Sequence, residues 1–301
     1  MSNIALLVLC LAIGIGLRSC GRVPENAHLA LNGFIINVSL PALTLAQIHG
    51  IAIHRELLYA ILMPWLMFCG VAASIWLIGR RLGLSSATIG ALTLTAGLAN
   101  TSFVSVPMIE SFYGSRYMAI GLLIDQLGTY LVLSTLGIAV ACLSSRGSAS
   151  ISEVTRRIVT FPPLIALVLA LLLTPLKYPV LVSEMLARLG STLAPLALVS
   201  VGTQLRLGEL RGRLAHLASG LSVKLLVAPL LLALIYLKLL GLSGAVARVT
   251  LFEAAMGPQI GGAIVAVQYG LDPPLVSLMV GVGSIAAFLT LPLWWYALQL
   301  A

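Results

Sequence analysis

Of the 301 residues, 60% are hydrophobic and 9% are charged, whereas a soluble domain carries about 25% charged residues. So few solvating groups cannot make a water-facing surface, which excludes a soluble protein and leaves a polytopic integral membrane protein. The net charge of +8 comes from single or paired bases between apolar runs, a distribution that reads as topology signals and not as a nucleic-acid surface.

At about 20 apolar residues per span, the chain divides into ten spans. They fall at about 4–18, 29–48, 57–79, 85–113, 117–143, 158–176, 180–205, 214–239, 243–269 and 273–299. The first run lacks a basic leader and a small-residue cleavage pattern, so it reads as a span and not a signal peptide. The longest link, Ser144 to Arg157, is Ser-rich, charged and close to the midpoint. Links after spans 1, 3, 5 and 7 hold ten bases, among them Arg80, Arg81, Arg156 and Arg213, against six on the other side. Cytoplasmic links collect Lys and Arg, so both termini are expected on the non-cytoplasmic side. The four cysteines are widely spaced and show neither a disulfide framework nor a metal-ligand spacing.

The midpoint link divides a repeat. Leu82-Gly83-Leu84-Ser85 recurs as Leu240-Gly241-Leu242-Ser243, just before spans 4 and 9. Phe112-Tyr113-Gly114 is echoed by Gln268-Tyr269-Gly270, and Pro24 and Pro41 bracket span 2 as Pro179 and Pro195 bracket span 7. The order of these pairs argues for two five-span halves, 1–143 and 158–301, joined by a cytoplasmic linker at 144–157. Five is odd, so the second half enters the membrane inverted. Such inverted repeats mark secondary transporters, with a site near the midplane where interrupted helices meet.

Span 4 carries Gly97-Leu98-Ala99-Asn100-Thr101-Ser102-Phe103-Val104-Ser105-Val106-Pro107, and span 9 carries Ala254-Ala255-Met256-Gly257-Pro258-Gln259-Ile260-Gly261-Gly262. Each puts Pro beside Gly and polar residues about halfway through an apolar run. Proline removes a donor and clashes with the preceding turn, and unwound backbone at that depth needs protein or a watery cavity around it. Two half-helix N-termini would bring partial positive charge to one point, which suits an anion. Taken singly, either site could be a simple kink.

These stretches resemble a known family. Gly16-Leu17-Arg18, Gly21-Arg22-Val23-Pro24 and Asn37-Val38-Ser39-Leu40-Pro41 are similar to the N-terminal pattern of the bacterial auxin efflux carrier family, within the bile, arsenite and riboflavin transporter-like superfamily. So are Ala99-Asn100-Thr101-Ser102-Phe103 with Val106-Pro107, Glu253-Ala254-Ala255-Met256, Tyr269-Gly270-Leu271-Asp272 and Leu291-Pro292-Leu293-Trp294. The resemblance implies an all-α protein of ten transmembrane helices, a five-plus-five inverted repeat with broken crossing helices 4 and 9, and elevator-like alternating access. It also implies transport of small organic anions such as auxins or dicarboxylates. Asn100, Pro107 and Pro258 carry over. The chain departs from the family at Ser102 or Ser105, where Gly is common.

Asp125, Lys224 and Glu253 lie about eight to eleven residues inside their spans, or roughly 12–16 Å deep by the helical rise. An ionisable group at that depth usually faces a cavity, a partner or a proton path. Glu253 lies one turn before the span-9 break, Asp125 is four residues from Thr129, and Lys224 needs a carboxylate or an anionic substrate. A structural ion pair of Lys224 with Asp125 or Glu253 is the alternative.

The expected substrate-binding set is Asn100, Thr101, Ser102, Pro107, Gly257, Pro258, Gln259, Asn37 and Lys224, with Glu253 and Asp125 as coupling-ion residues. No cofactor and no metal site is expected. The partners are a small organic anion and the lipid bilayer, with no nucleic acid and with a homodimer left open. No zinc, phosphate-loop or nucleophile-elbow motif is present, so an enzyme is not expected. The reading is a secondary carrier in a bacterial plasma membrane; a channel or a ligand-sensing receptor on the same fold is the alternative.

Overall fold

In an apolar surrounding each backbone group must be satisfied within its own segment, so long apolar runs become helices. The computed structural model describes residues 2–48, 57–101, 104–145, 152, 155, 156, 159–204 and 210–300, and these are helical apart from short links. Among them six helices are long and apolar enough to cross a membrane, and three shorter apolar helices accompany them. The fold is therefore all-helical, with six to nine candidate spans among the described residues.

The elements in chain order begin with α1 (Ser2–Ser19) and α2, which covers 27–48 and holds a π-helical stretch at Ile35–Ser39. There follow α3 (Leu57–Arg81), α4 (Ser86–Ala96), α5 (Ser105–Tyr113) and α6, which covers 118–144 with π stretches at Ile124–Thr129 and Leu133–Gly137. Then come α7 (Pro162–Leu172), α8 (Val180–Ser191), α9 (Leu193–Gln204) and α10, which covers 210–239 with π stretches at Val223–Val227 and Leu234–Leu239. The chain closes with α11 (Gly244–Ala254), α12 (Ile260–Gln268) and α13 (Pro273–Leu300).

The helices form two units that interleave along the sequence. One comprises Met1–Ala52 with Ser148–Leu205, the other Ile53–Gly147 with Arg206–Ala301. In the first unit α1 packs on α9. A Cβ at Gly14 would meet Val199 O at 2.3 Å, and one at Gly202 would meet Leu11 O at 2.4 Å, so glycine on both sides lets the two backbones touch. Ser200 donates to Asn32 Oδ1 at 2.6 Å, and Ser39 and Thr192 share a 2.8 Å hydroxyl contact.

In the second unit α4 is buried all round from Thr88 to Ala96. Its sequence, SATIGALTLTA, has no polar stripe, as expected of a helix enclosed on every side. It packs against α3, α12 and α13, while α11 lies on α3, α10 and α13. Ser85 caps α4 by accepting from the Thr88 amide, and Ser243 holds the equivalent place before α11. Gly83 and Gly241, two residues earlier, both have positive φ, at 69° and 62°. The recurring Leu-Gly-Leu-Ser word thus puts a left-handed glycine and an extended serine before each helix. Each such word opens an 11-residue helix, and each of those is followed by a nine-residue one, α5 or α12. Gly114 and Gly270, with φ of 97° and 69°, follow these shorter helices.

Candidate functional site

Helix α11 stops at Ala254 because Pro258 lies just beyond. Proline disfavours helical backbone at the residue before it and has no amide to donate. Helix α4 stops at Ala96, and the Gly97 amide closes it onto Thr93 O at 2.8 Å. The residues past these two ends meet. The Asn100 amide donates to Gly257 O at 2.9 Å, and the Gln259 amide donates to Leu98 O at 3.3 Å. Ala99 and Pro258 form an antiparallel bridge between them. Each non-helical segment satisfies the other's backbone, which is what buried unwound chain requires. Asn100, Thr101, Gly257, Pro258 and Gln259 are all buried here.

The second half-helices start from this point. Pro107 is in the first turn of α5, where a missing amide costs nothing. Gln259 precedes α12 in extended conformation, with φ −73° and ψ 129°. Among the described residues nothing accepts from the amides of Ile260, Gly261 and Gly262. Gly262 lets α12 approach α4 closely, since a Cβ there would sit 2.5 Å from Leu94 O.

Three ionisable side chains are buried in the same unit. Asp125 is 1% exposed and accepts from Thr101 Oγ1 at 2.6 Å and from Gln126 Nε2 at 2.7 Å. Glu253 is fully buried; Ser105, the first residue of α5, donates to its Oε1, and its Oε2 has no partner among the described residues. Lys224, also fully buried, donates to Ala254 O at 2.8 Å and lies 4.0 Å from Met67 Sδ. That carbonyl ends α11, where carbonyls lack helical partners and the helix dipole is negative. Asp125 and Lys224 both sit on π-helical turns, which recur at functional sites.

Asp125 bonds Thr101 and Gln126, while the Thr129 hydroxyl has no partner among the described residues. One sequence expectation changes. Lys224 bonds a backbone carbonyl and not a carboxylate: among the described residues its ammonium forms no ion pair. Asn37 belongs to the other unit, exposed, with its amide bonded to Gly33 O at 2.8 Å. Ser102 lies outside the described residues. Sequence reasoning missed the link of Arg213 to Asp272, which Thr88 supports with a 3.1 Å bond to Asp272 Oδ2. The one sequence signal there was an Asp beside Gly270-Leu271, since Asp tolerates the positive φ of 42° seen at 272.

The pattern of the membrane transport protein family matches residues 1–295. The chain belongs to this family, the auxin efflux carriers. It is accordingly an integral membrane transporter and not an enzyme. The transporter is 30% identical over 297 residues to an uncharacterized transporter from Methanothermobacter thermautotrophicus, covering 97% of this chain and 95% of that one. It is 24% identical over 313 residues to an uncharacterized transporter from Methanocaldococcus jannaschii, covering 98% of each.

Proposed function

We propose that this transporter is a secondary carrier of a small organic anion, with its site where the segments after α4 and α11 meet. The observation that carries this reading is the pair of backbone bonds, Asn100 to Gly257 and Gln259 to Leu98. They bring two helix N-termini and a group of buried polar side chains to one place within the unit. On this reading α4 with α5, and α11 with α12, are each one interrupted span, and the ten spans form a five-plus-five inverted repeat. The Leu-Gly-Leu-Ser word before both helices and the matched helix lengths support it. Asn100, Thr101, Gly257, Pro258 and Gln259 surround the substrate, and both termini face away from the cytoplasm.

Coupling is assigned to a proton on Glu253. Its carboxyl has one hydroxyl donor and a bare second oxygen, and the charged groups beside it are Asp125 on α6 and Lys224 on α10. A buried carboxylate so thinly supported is costly to keep charged, which suits a group that gains and loses a proton through the cycle. The test is uptake of carboxylates into proteoliposomes. Saturable flux that accelerates when the same anion is loaded on the far side supports a carrier; non-saturating flux would indicate a channel, and none at all a sensor.

A further inference from the structure

Three helix ends meet within the second unit: the last turn of α3, the first of α4 and the last of α6. A groove of about 390 Å³ runs back from them. Ala72, Trp76 and Arg80 stand four residues apart on α3 and so share the face that lines it. Ser86 and Ile89 line it from α4, and Ser144 from α6.

The groove has an apolar part and a basic head. Ala72 and Ile89 belong to the first, and the small side chain of Ala72 leaves the space open. At the helix ends lie Arg80 and the hydroxyls of Ser86 and Ser144. Gly90 lets α4 close on α6 there, since a Cβ would lie 2.5 Å from Ser144 Cβ. The Arg80 guanidinium stands 5.0 Å over the Trp76 ring, a cation–π contact that holds it over the groove. Among the described residues Arg80 forms no ion pair, and no acid lines the groove. The outer side is open, with Trp76 53% and Leu143 68% exposed.

An integral membrane protein turns that open side to lipid. An apolar span ending in Trp76, Arg80 and Arg81 reaches the headgroup level there. A free phosphate would leave the apolar part uncovered. A zwitterionic lipid brings its own cation and gains less from Arg80. A phospholipid of net negative charge meets both parts, its phosphate on Arg80 between the serine hydroxyls and an acyl chain along Ala72 and Ile89. The repeat supplies a comparison. A cavity of about 270 Å³ flanks Ser243 and Gly244 at the start of α11, where Tyr236 donates to Tyr59 O at 2.6 Å. No charged residue lines it, so the related helix start has the space without the base.

We infer that the groove between α3, α4 and α6 is a binding site for an anionic phospholipid, whose phosphate pairs with Arg80. It lies along the first eight residues of α4, ahead of Asn100, and does not depend on the carrier reading.

Trp76 makes the site directly readable. The full chain is reconstituted in phosphatidylcholine vesicles carrying rising fractions of phosphatidylglycerol with brominated chains, which quench tryptophan on contact. Subtracting a Trp76→Phe variant isolates Trp76 from the other tryptophans. Half-quenching is expected at about a fivefold lower fraction of brominated phosphatidylglycerol than of brominated phosphatidylcholine. Arg80→Gln should abolish that preference, while Arg116→Gln, which removes a base stacked on Tyr117 outside the groove, should keep it. Ala72→Leu fills the groove and should reduce quenching by both lipids. Glycerol phosphate in the buffer should leave quenching unchanged. Equal half-quenching by the two lipids overturns the assignment, as does a preference that survives Arg80→Gln. Undiminished quenching in Ala72→Leu would overturn the groove as the seat of the lipid. Recovery of Trp76 fluorescence on adding glycerol phosphate would give Arg80 to a soluble anion and overturn it equally.

Discussion

Asn100 and Gly257, 157 positions apart, are joined by a 2.9 Å bond from the amide of one to the carbonyl of the other. Neither residue is helical, and both are buried. Pro258 keeps the second segment from winding up, and it packs against Gly283, where a Cβ would lie 2.7 Å from its Cγ. Pro258→Ala restores a backbone donor and lets α11 run on toward α12. Uptake in proteoliposomes is expected to fall at least tenfold while membrane insertion is unchanged. Asn100→Ala keeps the backbone bond and removes the side chain, and should also lose transport. Unaltered uptake in both variants would remove this site from the mechanism.

Gly262→Ala is a sharper structural test. Its Cβ would sit 2.5 Å from Leu94 O, a backbone atom in the last turn of α4, so the two helices must part. Overpacking of this kind costs about 1–3 kcal/mol. Gly261→Ala is the control: its new methyl group meets the Leu133 side-chain tip at 3.1 Å and the Gln259 amide at an ordinary 3.8 Å, both side chains and no backbone. The midpoint of thermal unfolding should drop clearly in the first variant and little in the second. Equal midpoints would mean that α12 does not need this approach.

The membrane class was legible in the charge content alone, and the family in the Asn- and Pro-marked words along the chain. Burial was legible too, since Asp125, Lys224 and Glu253, all placed well inside apolar runs, are all buried. Their partners were not. Lys224 finds Ala254 O, an acceptor that exists only because a helix ends there, and backbone acceptors leave no trace in residue type. Asp125 finds Thr101, which lies beyond the end of α4 and not on its own helix. Arg213 looked like any other topology arginine, because nothing local to it indicates Asp272 across the unit. Division of the helices between two units was equally hidden, as helices of both units share one apolar composition.

Coupling at Glu253 makes a separable prediction. Glu253→Gln keeps the shape of the side chain and a bond to Ser105 but cannot carry a proton. Flux through this variant should lose its dependence on pH, measured as initial uptake across a series of buffered external pH values. A wild-type pH profile would clear Glu253 of the role. Gly121→Ala should disturb the same function from outside the charged groups, because its methyl group collides with Glu253 Oε1.

At the end of the unit, Asp272 accepts from Arg213 and from Thr88 Oγ1 while its own backbone is at φ 42°. Asp272→Ala loses both bonds and puts a residue with no local hydrogen bond in the left-handed region. The combined cost should be about 2–4 kcal/mol. Asp272→Asn keeps the backbone tolerance and an acceptor for Thr88, losing mainly the charge, so it should lie between wild type and Asp272→Ala. The order of unfolding midpoints checks this, and equal midpoints for the two variants would dismiss the backbone contribution.

Lys224 separates a structural charge from one that handles substrate. Its ammonium is fully buried, tied to Ala254 O, and feels Glu253 electrostatically. Lys224→Met nearly conserves volume, so packing is largely kept while a cation is lost beside two carboxylates. Removing one partner of a buried charge set leaves the other uncompensated and costs several kcal/mol, so the single variant should unfold at a distinctly lower temperature. In Lys224→Met with Glu253→Gln one of the two uncompensated charges is gone. The double variant should then recover much of the lost midpoint, a coupling that a double-mutant cycle reads directly. Additive losses would show that Lys224 acts only on Ala254 and the end of α11. Carboxylate binding gives the second readout. If Lys224 balances the buried carboxylates, the double variant keeps binding carboxylate substrate; if the ammonium grips the substrate itself, binding stays lost however well the fold recovers.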